Sequence, residues 1–301
     1  MNERTMTLEA HIFRQYDIRG IVGRDLDARV TRDVGRAFGT LLRERVTGRT
    51  PTVVVGQDNR PSSQGLAEGL LQGLNEVGVD AVHVGTIPTG VLYWAEQALD
   101  VDGGIQITGS HNPPEWNGIK MSISGGSVFG ETIQGLRETI LAGSFAEGAG
   151  TTRSDEVLDR YVEDVLGRFD LARPLKVVVD CGNGTAAVVA ERLLSGLGVE
   201  LIPLFCESDG TFPNHHPDPT VDENLVDLIA AVRAHGADVG IAFDGDGDRI
   251  GAVDDKGHVV RGDLLLLLFG LDLLSRKGPG RKLIFDVKCS QVLPQVFEAA
   301  G

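Results

Sequence analysis

The chain reads as an α/β protein of repeated α/β/α domains with mostly parallel mixed sheets, two units complete and a third incomplete. One observation behind this is a shared grammar of β-rich apolar run, polar loop and helix-like pattern. It occurs in T-V-V-V-G-Q-D-N-R-P-S-S from Thr52, K-V-V-V-D-C-G-N-G-T from Lys176 and K-L-I-F-D-V-K-C-S from Lys282. A second is that the first two units each run on to a matching strand end, G-I-Q-I-T-G-S at Gly104 to Ser110 and G-I-A-F-D-G-D at Gly240 to Asp246. Laid over one another, these segments set Ser110 opposite Asp246. Alternating strands and helices imply largely parallel sheets, whose ligands lie beyond the carboxyl ends of the strands.

In the first unit the spacing predicts a helix from about Ser62 carrying Leu66, Leu70, Leu74 and Val77, then a strand over Val79 to Val84. The Gly, Ala, Ser and Thr content of Ala142 to Ser154 reads as a linker. A helical pattern of Val157, Leu158, Tyr161, Val162, Val165 and Phe169 follows it. In the second unit a helix opens near Thr185 and a strand covers Val199 to Phe205. Past Gly257 come R-G-D, a Leu-rich helix from Leu264 and a strand from Lys282. The expected domains are therefore 1–153, 154–257 and 258–301, the last cut short and leaving an apolar sheet face uncovered.

With 43 Asp plus Glu against 28 Lys plus Arg, the formal charge is -15 over 301 residues, which repels a polyanionic backbone and argues against nucleic acid as a partner. The three cysteines, Cys181, Cys206 and Cys289, are widely separated and form no C-x-x-C pair or disulfide framework, which fits a reducing compartment. The start, M-N-E-R-T-M-T-L-E-A, lacks the apolar core of a secretory signal. The greasiest run, Leu264 to Leu274, is short and interrupted by Asp272. A soluble cytoplasmic protein with no membrane partner is expected; oligomeric state leaves no mark in the sequence.

Two loops carry chemistry. In D-G-D-G-D-R, Asp244 to Arg249, three carboxylates at alternate positions can converge on one hard divalent cation. An EF-hand requires Gly at its sixth position and Glu at its twelfth, where this chain has Arg249 and Asp255, so Mg²⁺ is favoured over Ca²⁺. A solvated Asx-type turn is the bland alternative, weakened by the buried strand expected before it. In T-G-S-H-N-P, Thr108 to Pro113, Ser110 is a turn residue by default. The string does not fit G-x-S-x-G, since Thr108 stands where the first Gly belongs. His111 is a catalytic candidate beside it, though adjacency alone does not make it a base. What raises Ser110 is its place opposite the acidic loop.

The strings F-R-Q-Y-D-I-R-G (Phe13 to Gly20), G-Q-D-N-R-P-S-S (Gly56 to Ser63), T-G-S-H-N-P-P-E-W-N-G-I-K (Thr108 to Lys120), F-P-N-H-H-P-D-P (Phe212 to Pro219) and D-G-D-G-D-R resemble, in order, those of the α-D-phosphohexomutases. The bacterial phosphomannomutase/phosphoglucomutase group is the best match. The resemblance implies that Ser110 is phosphorylated and that Asp244, Asp246 and Asp248 bind Mg²⁺ together with a phosphoserine oxygen. It makes Arg19 and Lys120 candidate general acid/base residues, and Arg249, Lys288 and, in second rank, Arg60 substrate-binding residues. The implied reaction interconverts hexose 1-phosphate and 6-phosphate, of mannose, glucose or both, through a hexose 1,6-bisphosphate intermediate. The family's sugar-selecting loop and fourth domain have no counterpart here, so low turnover of this chain alone is expected.

Two rival functions have weaker support. I-A-F-D-G-D-G-D resembles the haloacid dehalogenase strand-D-x-D-x-[TV], with Asp244 as nucleophile, but Asp248 stands where Thr or Val belongs. G-N-G-T-A-A, Gly182 to Ala187, satisfies G-x-G-x-x-A of a nucleotide-binding module, yet Asp180 just before it would face a pyrophosphate. His215, His216 and Asp218 read as a structural loop rather than a metal cluster. Trp94 and Trp116 read as packing or cleft-wall residues.

Overall fold

The computed structural model describes residues 8–300. The M-N-E-R-T-M-T-L-E-A segment noted above falls mainly on residues 1–7, outside the described residues.

The first half of the chain forms β1 (Ile18–Ile21), α1 (Ala28–Arg45), β2 (Thr52–Gln57), α2 (Ser63–Glu76), β3 (Asp80–Thr86), α3 (Thr89–Ala98), β4 (Gly103–Ile107), β5 (Trp116–Ile123), β6 (Gly126–Ser127), α4 (Glu131–Ala142) and β7 (Thr152–Ser154). Helix α1 starts where the Asp27 carboxylate accepts the otherwise orphaned N–H groups of Arg29 and Val30. The strands assemble in the order β1-β5-β4-β2-β3-β7, with β6 on β5. Pairing is parallel among β4, β2, β3 and β7, and antiparallel wherever β5 takes part.

Burial on both faces explains the unbroken apolar runs of the central strands. Val53, Val55, Ile105 and Ile107 pack under α1, α2 and α4, while Val54, Val82 and Val84 face α3 and Tyr161 on the other side. The predicted stripe on α2 points into the first layer, and Leu70 and Leu74 are fully buried, each stabilising by roughly 1.5–3 kcal/mol. The stretch read as linker is only partly one, because its end pairs with β3 as the edge strand β7.

The second half continues as α5 (Leu158–Leu166), β8 (Lys176–Asp180), α6 (Ala190–Gly196), β9 (Glu200–Leu204), α7 (Val226–His235), β10 (Val239–Phe243), β11 (Ile250–Asp254) and β12 (Val259–Val260). Helix α5 leans on the first sheet's layer, where Trp94 meets Tyr161 edge-on at 5.6 Å and donates to Asp164 at 2.6 Å. The helix expected near Thr185 opens as a 3-10 turn over Thr185–Val188 and becomes α-helical only at Ala190. The N–H of Thr185 is drawn instead to Gly245 O at 2.8 Å.

The second sheet runs β12-β11-β10-β8-β9. It repeats the first: β11-β10-β8-β9 corresponds to β5-β4-β2-β3, with the same antiparallel strand after the same parallel ones. Strand β12 carries this sheet past residue 257, where its end was expected. The Ser110 and Asp244 loops thus join equivalent strand pairs, β4 to β5 and β10 to β11.

Beyond lie α8 (Gly262–Lys277) and α9 (Val292–Ala300), in contact where Gly270 meets the Phe297 ring. The strand expected from Lys282 does not form. Among the described residues no strand lies beside it to pair its backbone, so Ile284 and Val287 stand 91% and 95% exposed. No helix of the described residues is long and apolar enough to cross a membrane.

Candidate active site

Ser110 sits at the carboxyl end of β4 with φ of +51°, a left-handed conformation unfavourable for a residue with a Cβ. Neighbours fix it there. Its N–H donates to Thr108 Oγ1 at 2.8 Å, and its carbonyl accepts from Arg60 Nη2 at 2.7 Å. Arg60 spends all five N–H groups inside the protein. Besides Ser110 O they reach Asp58 Oδ2 at 3.0 Å, Asn112 O at 2.7 Å, Pro113 O at 2.6 Å and Trp116 O at 3.2 Å. Arg60 was expected to bind substrate; its side chain is instead fully buried and has no donor left to offer. Asp58 completes the cage by accepting from Gly109 N at 3.0 Å and from Ser63 Oγ.

The acidic loop abuts this cage because residue 245 is glycine. A Cβ there would stand 2.4 Å from Ser110 O, inside van der Waals contact. Asp244 turns one oxygen to the N–H groups of Asp248 and Arg249, both at 3.1 Å, and accepts from Ser110 Oγ at 3.1 Å with the other. Asp246 accepts from Thr89 Oγ1 at 2.7 Å and Lys120 Nζ at 2.6 Å, and Asp248 accepts from the same Nζ at 2.6 Å. Carboxylate atoms of all three residues lie within 4.8 Å of one another.

Burial and mutual repulsion set the electrostatics of the acidic cluster, with Lys120 as the cation facing it. Burial, reinforced by the charges of Asp246 and Asp248, pushes Asp244 up to about 7. Burial opposes the charge of Asp246 too, but Lys120 and Thr89 hold it below its usual range. Burial would likewise depress the Lys120 ammonium, yet the two carboxylates outweigh it and the net shift is upward. The second oxygen of Asp246 is buried without a hydrogen-bond partner. An orphaned carboxylate oxygen in an all-oxygen cluster fits a hard divalent ion.

Antiparallel pairing of Arg19 with Gly118 places Arg19 and Lys120 on one face of the sheet. Both line a cavity of about 470 Å³ with Tyr16, Tyr93, Asp248 and Arg249. Asp17 orients the Arg19 guanidinium through Nε at 2.8 Å. Arg249 is held loosely by Asp244 and Asp248, 4.0 and 3.9 Å away, and contacts His111 Nδ1. His111 lies 3.2 Å from Asp218, and burial followed by Arg249 lowers its affinity for a proton. The hydrogen-bond partner of the Ser110 hydroxyl is therefore Asp244, and His111 serves the Arg249 side of the cleft. Lys288 is not brought to the site: its side chain is 85% exposed and faces Asp286 at 3.8 Å.

The remaining motifs are structural. His215 is bound to Asp180 at 3.0 Å while Asp218 faces His111, so the His215, His216 and Asp218 string does not converge. In the Gly182 to Ala187 turn, Gly182 N donates to Asp180 and Thr185 N to Gly245 O, while Asn183 O accepts from Asn59. The donors that would cradle a pyrophosphate are already used. Three residues that brace the site went unmarked as such in the sequence: Thr89, which donates to Asp246, Asp58, which accepts from Gly109 beside Ser110, and Asn59, which donates to Asn183 O in the turn that holds Gly245. Asp58 and Asn59 stand inside the quoted G-Q-D-N-R-P-S-S string, but Thr89 shows only a Pro-Thr helix start, which does not name its partner.

Residues 10–147 match the family described as phosphoglucomutase/phosphomannomutase, alpha/beta/alpha domain I, and residues 159–257 match its domain II. The chain is 48% identical over 295 residues to a phosphomannomutase/phosphoglucomutase of Pseudomonas aeruginosa, an alignment covering 98% of this chain and 63% of that protein. It is 41% identical over 293 residues to a phosphoglucomutase of Neisseria gonorrhoeae, covering 96% of this chain and 63% of that protein. The crystal structure of a phosphoglucomutase/phosphomannomutase family protein from Burkholderia thailandensis superposes with a TM-score of 0.94 at 46% identity, covering 98% of this chain and 65% of that one. The chain thus spans somewhat less than two thirds of the length of these relatives.

Proposed function

Because the chain belongs to the phosphoglucomutase/phosphomannomutase family, we propose that it carries the phosphoryl-transfer centre of a hexose phosphate mutase, with Ser110 as the residue that takes and returns the phosphoryl group. The observation that carries this reading is the Ser110 hydroxyl held 3.1 Å from the first carboxylate of a buried acidic triad. Asp244, Asp246 and Asp248 would hold one Mg²⁺, which when bound draws charge from the phosphorus and makes the serine oxygen a better leaving group.

The protein's own groups do the rest. Arg60 and Asp58 fix the loop so that the serine oxygen stays in place between the bond broken and the bond formed. Arg19, on the face of the sheet that lines the cleft, offsets the negative charge on the transferring phosphoryl oxygens. Lys120 is held protonated by Asp246 and Asp248; with those carboxylates turned to a bound cation it would be free to give a proton to the sugar oxygen that leaves or, once deprotonated, to take one from the hydroxyl that attacks. Arg249, with His111 beside it, holds the second phosphate or the sugar. The substrate is a mannose or glucose monophosphate, the activating species is the 1,6-bisphosphate, and no nucleic acid or membrane takes part. The same reading makes the protein cytoplasmic, in keeping with three cysteines that remain free thiols.

The test is the fate of phosphate. Chain labelled with ³²P on Ser110 is mixed with hexose 6-phosphate and Mg²⁺. Label appearing in hexose bisphosphate supports a mutase; label released only as inorganic phosphate would replace that reading with a phosphatase.

A further inference from the structure

We propose that Cys181 and Cys206 form a reversible redox site that closes to a disulfide when a peroxide reaches Cys206. The two thiols are 25 positions apart in sequence, yet their sulfurs lie 3.4 Å from each other. The parallel pairing of β8 with β9 sets Asp180 opposite Leu204, so each cysteine sits just past the carboxyl end of its strand. Gly182 and Phe205 hold φ of +51° and +49°, bending both chains away from the sheet, and the N–H of Cys181 ties the ends together through Leu204 O at 3.2 Å. Val179, Ala186 and Ala190 surround the pair. No metal-ligating or catalytic task of the cleft uses these sulfurs.

Their exposures differ, which sets the order of events. Cys181 is fully buried and Cys206 only partly. The Cys181 thiol is pushed up by its hydrogen bond with Cys206 and by burial, so it keeps its proton, while that hydrogen bond lowers Cys206 and favours its thiolate. Cys206 attacks one oxygen of hydrogen peroxide, the O–O bond breaks, and Cys206 becomes a sulfenic acid as water leaves. The sulfur of Cys181 then displaces the sulfenic oxygen as a second water. Together the two thiols lose two protons and two electrons, and the peroxide is reduced to two waters.

Forming a bond of about 2.05 Å moves the sulfurs closer by roughly 1.4 Å. The shift falls at the root of the turn whose Thr185 N–H holds Gly245 O and whose Asn183 O accepts from Asn59. Oxidation therefore acts on the turn that braces the acidic loop at Gly245 against Asn59. The disulfide itself does not depend on the mutase reading.

The chain is treated in its native state with hydrogen peroxide, blocked with iodoacetamide, digested without reductant and analysed by mass spectrometry. The expected product is a peptide linking Cys181 to Cys206, two hydrogens lighter than the reduced pair and separated by dithiothreitol. It persists in Cys289→Ser and disappears in Cys206→Ser, where Cys181 stays unoxidised. Oxidation of Cys206 to a sulfinic acid without a link, linkage through Cys289, or full alkylation of both thiols after peroxide and unfolding would each overturn the proposal. Matching melting curves of Cys206→Ser and the parent under reducing conditions establish that loss of the link is chemical rather than a folding defect.

Discussion

Substituting Gly245→Ala tests whether the Ser110 loop and the acidic loop work as one unit. The added Cβ would stand 2.4 Å from Ser110 O, 3.3 Å from Ser110 C and 3.4 Å from Pro217 Cγ. Relief requires the loops to part by about 1 Å, since the opposing atom is backbone and cannot rotate away, and overpacking of this kind costs about 1–3 kcal/mol. The same movement opens the 3.1 Å contact between Ser110 Oγ and Asp244. A displacement of about 1 Å at reacting atoms slows chemistry by roughly 100-fold. Urea unfolding measures the first effect. The rate of Ser110 phosphorylation from hexose 1,6-bisphosphate, at saturating Mg²⁺ and a temperature where the variant is folded, measures the second. A folded variant that phosphorylates at the parent rate would refute the reasoning that loop contact sets the geometry.

Arg60→Ala leaves Asp58 buried and unpaired and strips four carbonyls of a donor, so urea unfolding should report a loss of about 3–5 kcal/mol; a surface role for Arg60 would predict almost none. Thr89→Val removes the hydroxyl bound to Asp246 at 2.7 Å, and leaving that buried carboxylate short of a donor should cost about 1–3 kcal/mol in the same assay. At low pH, Asp25 contributes through its pairing with Arg24, which together with Ile21 N–H holds the carboxyl down at about 2. Because the folded value lies below the unfolded value near 3.8, this stabilisation is fully present above that value and is lost as pH falls toward 2. Asp25→Asn should therefore flatten the acid limb of a stability-against-pH curve over that window, and an unchanged limb would exclude the pairing as its source.

Much of the site was legible because its chemistry is written in local strings. Three carboxylates at alternate positions after an apolar strand can converge on one cation, and the matched strand ends set Ser110 against the acidic loop. The β11-β10-β8-β9 order repeating β5-β4-β2-β3 is the structural form of that match. Other features depend on partners far away in sequence. Arg60 reads as a cleft cation until the carbonyls at 110, 112, 113 and 116 are seen to consume its donors. Cys181 and Cys206 read as unrelated until parallel register brings their strand ends together. The strand expected from Lys282 failed for the converse reason: its apolar pattern is right, but no neighbouring strand supplies its hydrogen bonds.

The most direct measurement is to locate the phosphate after incubating the chain with hexose 1,6-bisphosphate and Mg²⁺. Phosphopeptide mapping should find an acid-stable phosphate on Ser110 that is absent from Ser110→Ala and strongly reduced by a chelator or by Asp246→Asn. A labile acyl phosphate on Asp244, or label persisting in Ser110→Ala, would contradict the division of labour between the two loops.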